Sequence, residues 1–378
     1  MQLSYDANGD ITEYKKVGAT KATLAYNSLG LLTSYKDGLN RETTINGYHR
    51  GIPTSLTAAA GTADQITLLR TVDDNGWVTS QTDGNGVTTG FSHNAMGWLT
   101  GIDRPSPWSD TAISYSGLGS GVVQTSTRGN ARTVTTYDRY HRPLTVQAQD
   151  LSGAASATYN TFQYDGLGRT TFASLPSFSP TGARGVATTY DGLGRVLTET
   201  MTADGSVTSY SYNPNNAVSV TDPVGNVTTT FSSGFGSPDD GNPISIVQPE
   251  GVTTTMTYDI WGNLLTATQG GFTQTWAYDN ELRLCNHYTP EQGATVFRYN
   301  AADENHRISL GRPQSSGCGS TSGERINNTF DNLGRLTVAD YPSGTPNVYM
   351  SYDDNGNMLT LNKGGANWSY TYNAANLP

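Results

Sequence analysis

A six-residue stretch occurs twice without change in this sequence and again in looser form. YDGLGR spans Tyr164–Arg169 and Tyr190–Arg195, and FDNLGR spans Phe330–Arg335. Aligning the chain on an aromatic or apolar residue followed by Asp, Asn or Ser gives 17 anchors at a mean spacing of about 23 residues, ranging from 19 to 31. Because rigid solenoid rungs tolerate such variation poorly and hairpins with adjustable loops tolerate it well, the spacing predicts a train of β-hairpins. The anchors are Tyr5, Tyr26, Ile45, Val72, Phe91, Tyr115, Tyr137, Tyr164, Tyr190, Tyr212, Phe231, Tyr258, Tyr278, Tyr299, Phe330, Tyr352 and Tyr372.

The fourth position after each anchor is restricted to residues that tolerate a positive φ. It is Gly at 9, 30, 76, 119, 168, 194, 262, 334 and 356, His at 49 and 141, and Asn at 216 and 376. The exceptions are Ala95, Phe235, Leu282 and Asp303. The residue directly after the anchor can fold its side chain onto the backbone two residues on. We therefore predict that each anchor ends a strand and opens a turn that a left-handed residue closes.

A second turn falls between anchors. Asp37, Asp83 and Asp204 each lie eight residues before the next anchor, and Asp222 opens a version one residue longer. Each repeat is then strand, turn, strand, turn. Arg occupies the fifth position after the anchor at 50, 142, 169, 195, 283 and 335, and this recurrence predicts a repeated structural contact rather than a single catalytic one.

The composition agrees with an all-β chain and excludes several functions. Charged residues make up 14% of the chain, which also holds 43 Gly and 22 Tyr, so tight turns and strands are favoured. The net charge of −10 and the lack of a Lys/Arg cluster argue against nucleic-acid binding. No apolar run approaches the roughly 18 residues of a membrane span, and the N-terminal stretch MQLSYDANGD does not resemble a signal peptide.

The residues that bear reactive groups are not arranged as a site in the sequence. His49 and His141 occupy the turn-closing position, while His93, His287 and His306 lack metal-ligand spacing. Cys285 and Cys318 could pair or remain free thiols. The acidic turns YDANGD and YDDNGN lack the length and distal Glu of a calcium-binding EF-hand loop. We therefore predict no catalytic, cofactor-binding or metal-binding residues, no cofactor, and no enzyme activity.

The repeat resembles the YD repeats of the RHS family, which are also found in teneurins and in the shell subunits of bacterial Tc toxins. The copies YDGLGRVLTE, YDGLGRTTFA, YDIWGNLLTA, FDNLGRLTVA and YDDNGNMLTL carry the resemblance, which covers nearly the whole chain. It implies a continuous antiparallel β-hairpin strip that spirals as part of a hollow shell. Residues 1–378 would then form a single repeat array, truncated at both ends, without the family's core-associated segment or C-terminal toxin.

The resemblance also implies a function. A structural shell segment of a secreted bacterial toxin would have two partners, the remainder of its own full-length chain and an enclosed toxin domain. The alternative is a cell-surface adhesion or carbohydrate-binding repeat module, whose exposed tyrosines and tryptophans would contact glycans or proteins. Both interpretations place the chain outside the bacterial cell, secreted or on the surface.

Overall fold

The fold was analysed in a computed structural model, which describes all residues except 118, 120, 154–156, 183, 235–240, 313–316 and 319–323. The chain divides into two compact units. Unit 1 comprises residues 1–109, here called the first run, and residues 275–378, the second run; unit 2 comprises residues 110–274. The fold is all-β: the described residues form 33 strands and no helix. Among these residues there is accordingly no helix long and apolar enough to cross a bilayer. The assignment of residues 1–378 to a single array stays a prediction.

The strands of the first run are β1 (Gln2–Tyr5), β2 (Ile11–Lys16), β3 (Ala19–Tyr26), β4 (Leu32–Asp37), β5 (Glu42–His49), β6 (Ile52–Ala58), β7 (Ile66–Val72), β8 (Val78–Thr82), β9 (Thr88–His93) and β10 (Leu99–Asp103). Those of unit 2 are β11 (Thr111–Ser116), β12 (Val123–Arg128), β13 (Ala131–Tyr137), β14 (Pro143–Asp150), β15 (Thr158–Tyr164), β16 (Thr170–Ser174), β17 (Gly185–Tyr190), β18 (Val196–Met201), β19 (Ser206–Asn213), β20 (Ala217–Thr221), β21 (Val227–Ser232), β22 (Pro243–Val247), β23 (Thr253–Tyr258) and β24 (Leu264–Gln269). The remaining strands, the first of which crosses into unit 1, are β25 (Phe272–Tyr278), β26 (Leu284–Thr289), β27 (Gly293–Tyr299), β28 (Asn305–Arg312), β29 (Arg325–Phe330), β30 (Leu336–Asp340), β31 (Val348–Tyr352), β32 (Met358–Lys363) and β33 (Ala366–Ser369).

Consecutive strands pair antiparallel along each run and along unit 2. In β17 and β18, for example, Ala187 lies opposite Thr200 and Thr189 opposite Thr198. The register shifts by one residue immediately before most anchors, as between Thr189 and Tyr190, so the anchor sits at a β-bulge. A bulge beside a turn closed by a left-handed residue is a common three-residue hairpin connection. The repeat thus folds into a train of hairpins, as the sequence predicts.

Little of this fold is a hydrophobic core. Its buried apolar side chains, among the residues that the structure describes, are small: Ala22, Ala59, Ala217, Cys285, Ala294, Val296 and Ala339. Two of the largest fully buried side chains, Cys285 and Asn286, lie on β26. Cys285 forms a disulfide with Cys318, and the amide of Asn286 donates to the Gly317 carbonyl at 2.9 Å. The pairing that the sequence left open is therefore settled. With so little apolar burial, the strip depends on its ladders, its turns and the contacts between turns.

Turn geometry agrees with the predicted pattern at every described turn-closing Gly and Asn and at His141, all of which have positive φ. Leu282 and Asp303, two exceptions by residue type, also have positive φ, at 61° and 65°. The geometry is therefore more regular than the sequence. Phe235 lies outside the described residues.

The structure contradicts the predictions at five positions, namely Ile45, His49, Arg50, Phe91 and Asp204. His49 ends β5 without a positive φ, because a two-residue turn made of Arg50 and Gly51, both with positive φ, connects the hairpin. That turn lies five residues after Ile45, so Ile45 and Arg50 do not fill their assigned roles. Phe91 does not end its strand, because β9 continues to His93. Asp204 does not open a turn of the predicted type, because Gly205 follows it directly with positive φ.

The true anchor in the repeat near Phe91 is His93. The side-chain oxygen of Asn94 accepts hydrogen bonds from the amides of Met96 and Trp98, and Gly97 closes the turn at φ 81°. Asn94 displaces Ser92 because its carboxamide oxygen reaches two backbone amides at once. This shift of two residues explains why Ala95 departs from the pattern.

Candidate functional site

Most anchors open a turn that the following Asp or Asn holds together. Asp191, which follows Tyr190, accepts hydrogen bonds at Oδ1 from the amides of Leu193 and Arg195, both at 2.9 Å. Its Oδ2 accepts from Nε of Arg195 at 2.7 Å and pairs with Nη2 at 2.6 Å. Burial raises the pKa of Asp191, but the bonds from the Arg195 backbone and guanidinium outweigh it, so the net pKa lies below its usual value. One carboxylate therefore closes the turn and orients the arginine.

That arginine connects one hairpin to the next. The Arg195 guanidinium carbon lies 3.9 Å from the centroid of the Tyr212 ring, the anchor of the following repeat. In return, the Tyr212 hydroxyl donates to the Val196 carbonyl at 3.0 Å. The same stacking recurs where Arg142 meets Tyr164, Arg169 meets Tyr190, Arg283 meets Tyr299 and Arg335 meets Tyr352. The repeated Asp, Arg and Tyr thus make structural contacts between neighbouring hairpins.

Antiparallel alternation places the two kinds of turn on opposite edges of the strip. We call the turns that follow anchors the anchor edge and the turns between anchors the return edge. Within unit 1, the anchor edge of the second run lies against the return edge of the first run, across sequence separations of 263 to 290 residues. This edge-to-edge contact, here called the seam, joins hairpins that are remote in sequence.

Glycine permits the close approach at the seam. A Cβ on Gly38 would overlap the carbonyl group of Ala301, and a Cβ on Gly84 would lie 2.5 Å from the Asp354 carbonyl oxygen. Neither glycine has a left-handed φ. Their missing side chains therefore serve the packing of one backbone on another rather than the shape of their own turns.

An ionic cluster lies at one end of the seam. Nζ of Lys21, whose side chain is only 7% exposed, lies 2.7 Å from Oδ1 of Asp303 and also pairs with Glu281. Arg283 pairs with the same two carboxylates. Burial lowers the pKa of Lys21, yet the hydrogen bonds that Lys21 donates to Asp303 and Glu281 raise the net pKa above its usual value. The lysine is thus buried with charged partners on both sides, the arrangement that makes a buried charge tolerable.

Arg41 forms the next bridge across the seam. Its guanidinium contacts Asp37 in its own turn and, in the second run, Glu304 at 2.6 Å and the Asp331 carbonyl at 3.2 Å. Asp37 and Arg41 repeat in a return turn the Asp–Arg pair of the anchor turns. The arginine pattern in the sequence misses Arg41, because that pattern covers only the fifth position after an anchor and Arg41 lies in a return turn.

Amides and carboxylates complete the seam. The Asn332 amide donates to Asp64 at 2.7 Å. Asn85 and Asn355 form a reciprocal pair: Asn85 donates to Asp353 at 3.0 Å, and Asn355 donates to Asp83 at 2.8 Å. The seam is therefore polar along its described length.

A cleft of about 300 Å³ beside Arg41 brings ionisable groups from remote repeats together, including Glu304, His306 and Asp331. Glu304 is paired with Arg41, and Asp331 holds Arg335 at 2.7 Å. Burial, followed by the charges of Arg307 and Arg298, lowers the pKa of His306 and favours its neutral form. Both carboxylates thus already stabilise the fold as partners of arginines.

The other histidines are spread along the chain. His49 lies 3.2 Å from Asp74, His93 lies tilted against Trp77, and His287 stacks on Trp276 with centroids 4.8 Å apart. Within the described ranges, no three or more His, Cys, Asp or Glu side chains are grouped to hold a metal ion. The prediction that the chain has no catalytic, cofactor or metal residues stays a prediction.

Three segments match the family model described as RHS Repeat: residues 72–106, 190–227 and 238–273. These three segments carry RHS repeats. The matched segments contain the anchor turns that follow Val72, Tyr190 and Tyr258, so the family pattern coincides with the turn geometry. No curated protein sequence matches the chain.

Solved structures with similar folds include Tc toxin components. The chain is 14% identical to a crystal structure of TcdB2-TccC3-TEV, with a TM-score of 0.46, covering 93% of this chain and 23% of that chain. It is 16% identical to a Photorhabdus luminescens Tc holotoxin pore, with a TM-score of 0.48 and coverage of 95% and 23%. It is 14% identical to a crystal structure of TcdB2-TccC3 without the hypervariable C-terminal region, with a TM-score of 0.46 and coverage of 98% of this chain and 23% of that chain. The chain thus spans about a quarter of the length of these solved chains.

Proposed function

We propose that this chain is a wall segment of the shell of a secreted bacterial toxin. The seam carries the proposal, because it joins the edges of hairpin runs more than 260 residues apart in sequence. A strip whose opposite edges fit together in this way can build a continuous wall, whereas an extended strip used only for adhesion needs no such contact. The match to RHS repeats supports the same function.

The proposed partners are the rest of the complete gene product and a toxin domain that the wall encloses. The polar seam suits this role, since charge pairs and amide–carboxylate bonds fix register along an edge without leaving a long apolar surface exposed during folding. We propose a structural rather than an enzymatic role, and a secreted location. The alternative of a cell-surface adhesion or carbohydrate-binding module stays a prediction.

The test is protection of the enclosed domain from protease in the complete gene product. The double variant Gly38→Ala, Gly84→Ala is designed to part the seam, because both new methyl groups meet backbone atoms of the second run. The matched control is Gly166→Ala, Gly192→Ala, where nothing lies within 4 Å of the added Cβ.

We expect the parent and control proteins to protect sequences that follow the repeats and the seam variant to release them to protease. Equal cleavage of these sequences in the parent and in the seam variant would contradict enclosure.

A further inference from the structure

Arginine side chains fill the same place in several repeats. In five of them, the guanidinium of one anchor turn lies over the ring of the next anchor, 3.9 to 5.1 Å from its centroid. In two of these the arginine also donates to the carbonyl that follows the ring: Arg169 donates to Asp191 at 3.3 Å, and Arg335 donates to Asp353. We call this place, bounded by an anchor ring and the carbonyl of the next residue, the guanidinium site.

One guanidinium site is filled from a remote part of the chain. The repeat that should supply its arginine has Glu304 at that position. Nη1 of Arg41, from the first run, donates instead to the Asp331 carbonyl at 3.2 Å. A Cβ on Gly334 would lie 3.7 Å from this nitrogen, and a Cβ on Gly194 would lie equally far from the arginine of its own neighbouring repeat. A guanidinium site therefore accepts an arginine that its own repeat does not supply.

The guanidinium site beside Tyr137 is different. The fifth position after the preceding anchor, Tyr115, is Ser120, which has no guanidinium and lies outside the described residues. Within the described part of the chain, no arginine lies over the Tyr137 ring. A cleft of about 600 Å³ occurs there instead, and its lining includes Tyr137, Asp138 and Tyr140.

The charges around this cleft match those of a filled site, with one addition. Asp138 pairs with Arg142 at 2.6 Å, as Asp191 pairs with Arg195 at 2.6 Å beside a site that holds a guanidinium. A neighbouring arginine of this kind therefore does not exclude a second guanidinium. Arg139, which is exposed and lines the cleft, adds one more positive charge. An acidic residue next to the bound arginine would balance that charge.

We propose that the Tyr137 cleft binds the side chain of an arginine that another polypeptide segment supplies. The guanidinium lies over the Tyr137 ring and donates to the Asp138 carbonyl, as Arg169 does at Tyr190 and Asp191. Arginine suits the site better than lysine, because its planar group stacks on a ring while its N–H groups reach an acceptor. Any segment that presents such an arginine fits, so the site does not require that the wall enclose a toxin domain.

The experiment is an NMR titration of the 378-residue chain with isotope-labelled tyrosine rings. The probe is a capped Glu-Arg dipeptide, and the control probe is capped Glu-citrulline, which keeps the shape of arginine without its charge. Tyr137→Phe identifies the Tyr137 signals by their loss. Arg169→Ser provides the matched comparison within the chain, because it empties the guanidinium site at Tyr190. Circular dichroism establishes that both variants are folded.

We expect the Glu-Arg dipeptide to shift the Tyr137 signals until they saturate. Glu-citrulline should bind about two- to fivefold more weakly, the ratio that a cation–π contact at an exposed site gives. The Tyr190 signals should respond in the Arg169→Ser variant and not in the parent, where Arg169 already covers the ring.

Two results would overturn the proposal. The Tyr137 signals could stay unmoved up to the highest soluble concentration of Glu-Arg, or the two dipeptides could bind equally well, which would show that the cleft does not recognise a guanidinium. Once the 378-residue chain responds, the same titration of the complete gene product separates two sources of the arginine. A lost response there assigns the arginine to the same gene product, and a retained response assigns it to a separate polypeptide.

Discussion

Replacing Gly38 by Ala should open the seam, although the change adds a single methyl group. The new Cβ would overlap the carbonyl carbon and oxygen of Ala301, which are backbone atoms and cannot rotate aside. Since Gly38 has no left-handed φ, its own turn can accommodate Ala without strain. Any loss of stability therefore reports on the contact between the two runs.

The magnitude follows from two limits. Forcing an extra methyl group into a packed contact costs about 1–3 kcal/mol. Parting the runs would also weaken the contacts of Lys21, whose Nζ lies 3.4 Å from the Ala301 carbonyl and pairs with Glu281 and Asp303. Breaking a buried ion pair costs about 3–5 kcal/mol, which sets the upper limit because this cluster is only partly buried. We expect a loss of about 1–3 kcal/mol.

The control is Gly192→Ala, in a glycine position with no left-handed φ and nothing within 4 Å of the added Cβ. It should leave stability unchanged or raise it by roughly 0.4–1 kcal/mol, because Ala restricts the unfolded chain. The assay is thermal unfolding of both variants, together with hydrogen exchange at the seam turn of residues 300–304, which contains Ala301. At roughly 2–4 °C per kcal/mol, a stability difference of about 1–4 kcal/mol should separate the two melting temperatures by about 2–16 °C. Equal melting temperatures, with unchanged exchange in that turn, would refute the close-approach argument.

Three further predictions concern the turns, the disulfide and a half-buried tyrosine. Gly194→Val should cost on the order of 1–3 kcal/mol, because φ is 88° there, and Gly194→Asn should cost less; equal melting temperatures for the two would contradict the turn assignment. Cys318→Ser should lower stability by about 3–4 kcal/mol on the chain-entropy estimate for a 33-residue separation, so a melting temperature that is unchanged and insensitive to reductant would count against the pairing. The hydrogen bond from Tyr210 to Glu199, with burial, raises the tyrosine pKa to about 12, so this bond should stabilise the fold fully below pH 10 and cease to do so as pH rises through 12. In NMR titrations of tyrosine-labelled protein, Glu199→Gln should return the pKa of Tyr210 towards 10, and an unchanged pKa would exclude the bond as the cause.

Local geometry was predictable from the sequence because one residue type performs one backbone task. An Asp after the anchor caps the turn, and a Gly four residues after it supplies the positive φ, so Tyr190 and Asp191 could be placed without any tertiary information. The prediction went wrong near Phe91, where Asn94 competes with Ser92 to cap the turn. Asn reaches two amides and Ser is the weaker cap, a difference that a pattern accepting Asp, Asn or Ser equally does not weigh.

The seam could not be predicted in the same way. Lys21 meets Asp303 across 282 residues, and nothing near either residue in the sequence marks the other. Gly38 and Gly84 follow Asp in ordinary turn sequences, where the preference of turns for glycine already explains the residue type. Only the structure shows that both glycines contact the backbone of the second run. Contacts between edges depend on how the strip folds back, which is set by twist summed over many strands rather than by any single motif.

Acid titration of the ionic cluster connects the seam to the rest of the fold. Burial raises the pKa of Asp303, but the hydrogen bonds from Lys21 and Arg283 lower it by more than burial raises it. The net pKa of Asp303 therefore falls below the usual 3.8. A carboxylate with a depressed folded-state pKa stabilises the fold above its unfolded-state pKa and loses that contribution as pH falls through the folded-state value. Lys21 and Arg283, whose pKa values are raised, lose theirs only above the usual pKa of their side chains, well beyond neutral pH. Lys21, Arg283 and Asp303 therefore keep their charges across the neutral range, so their contacts should hold the two runs together at neutral pH.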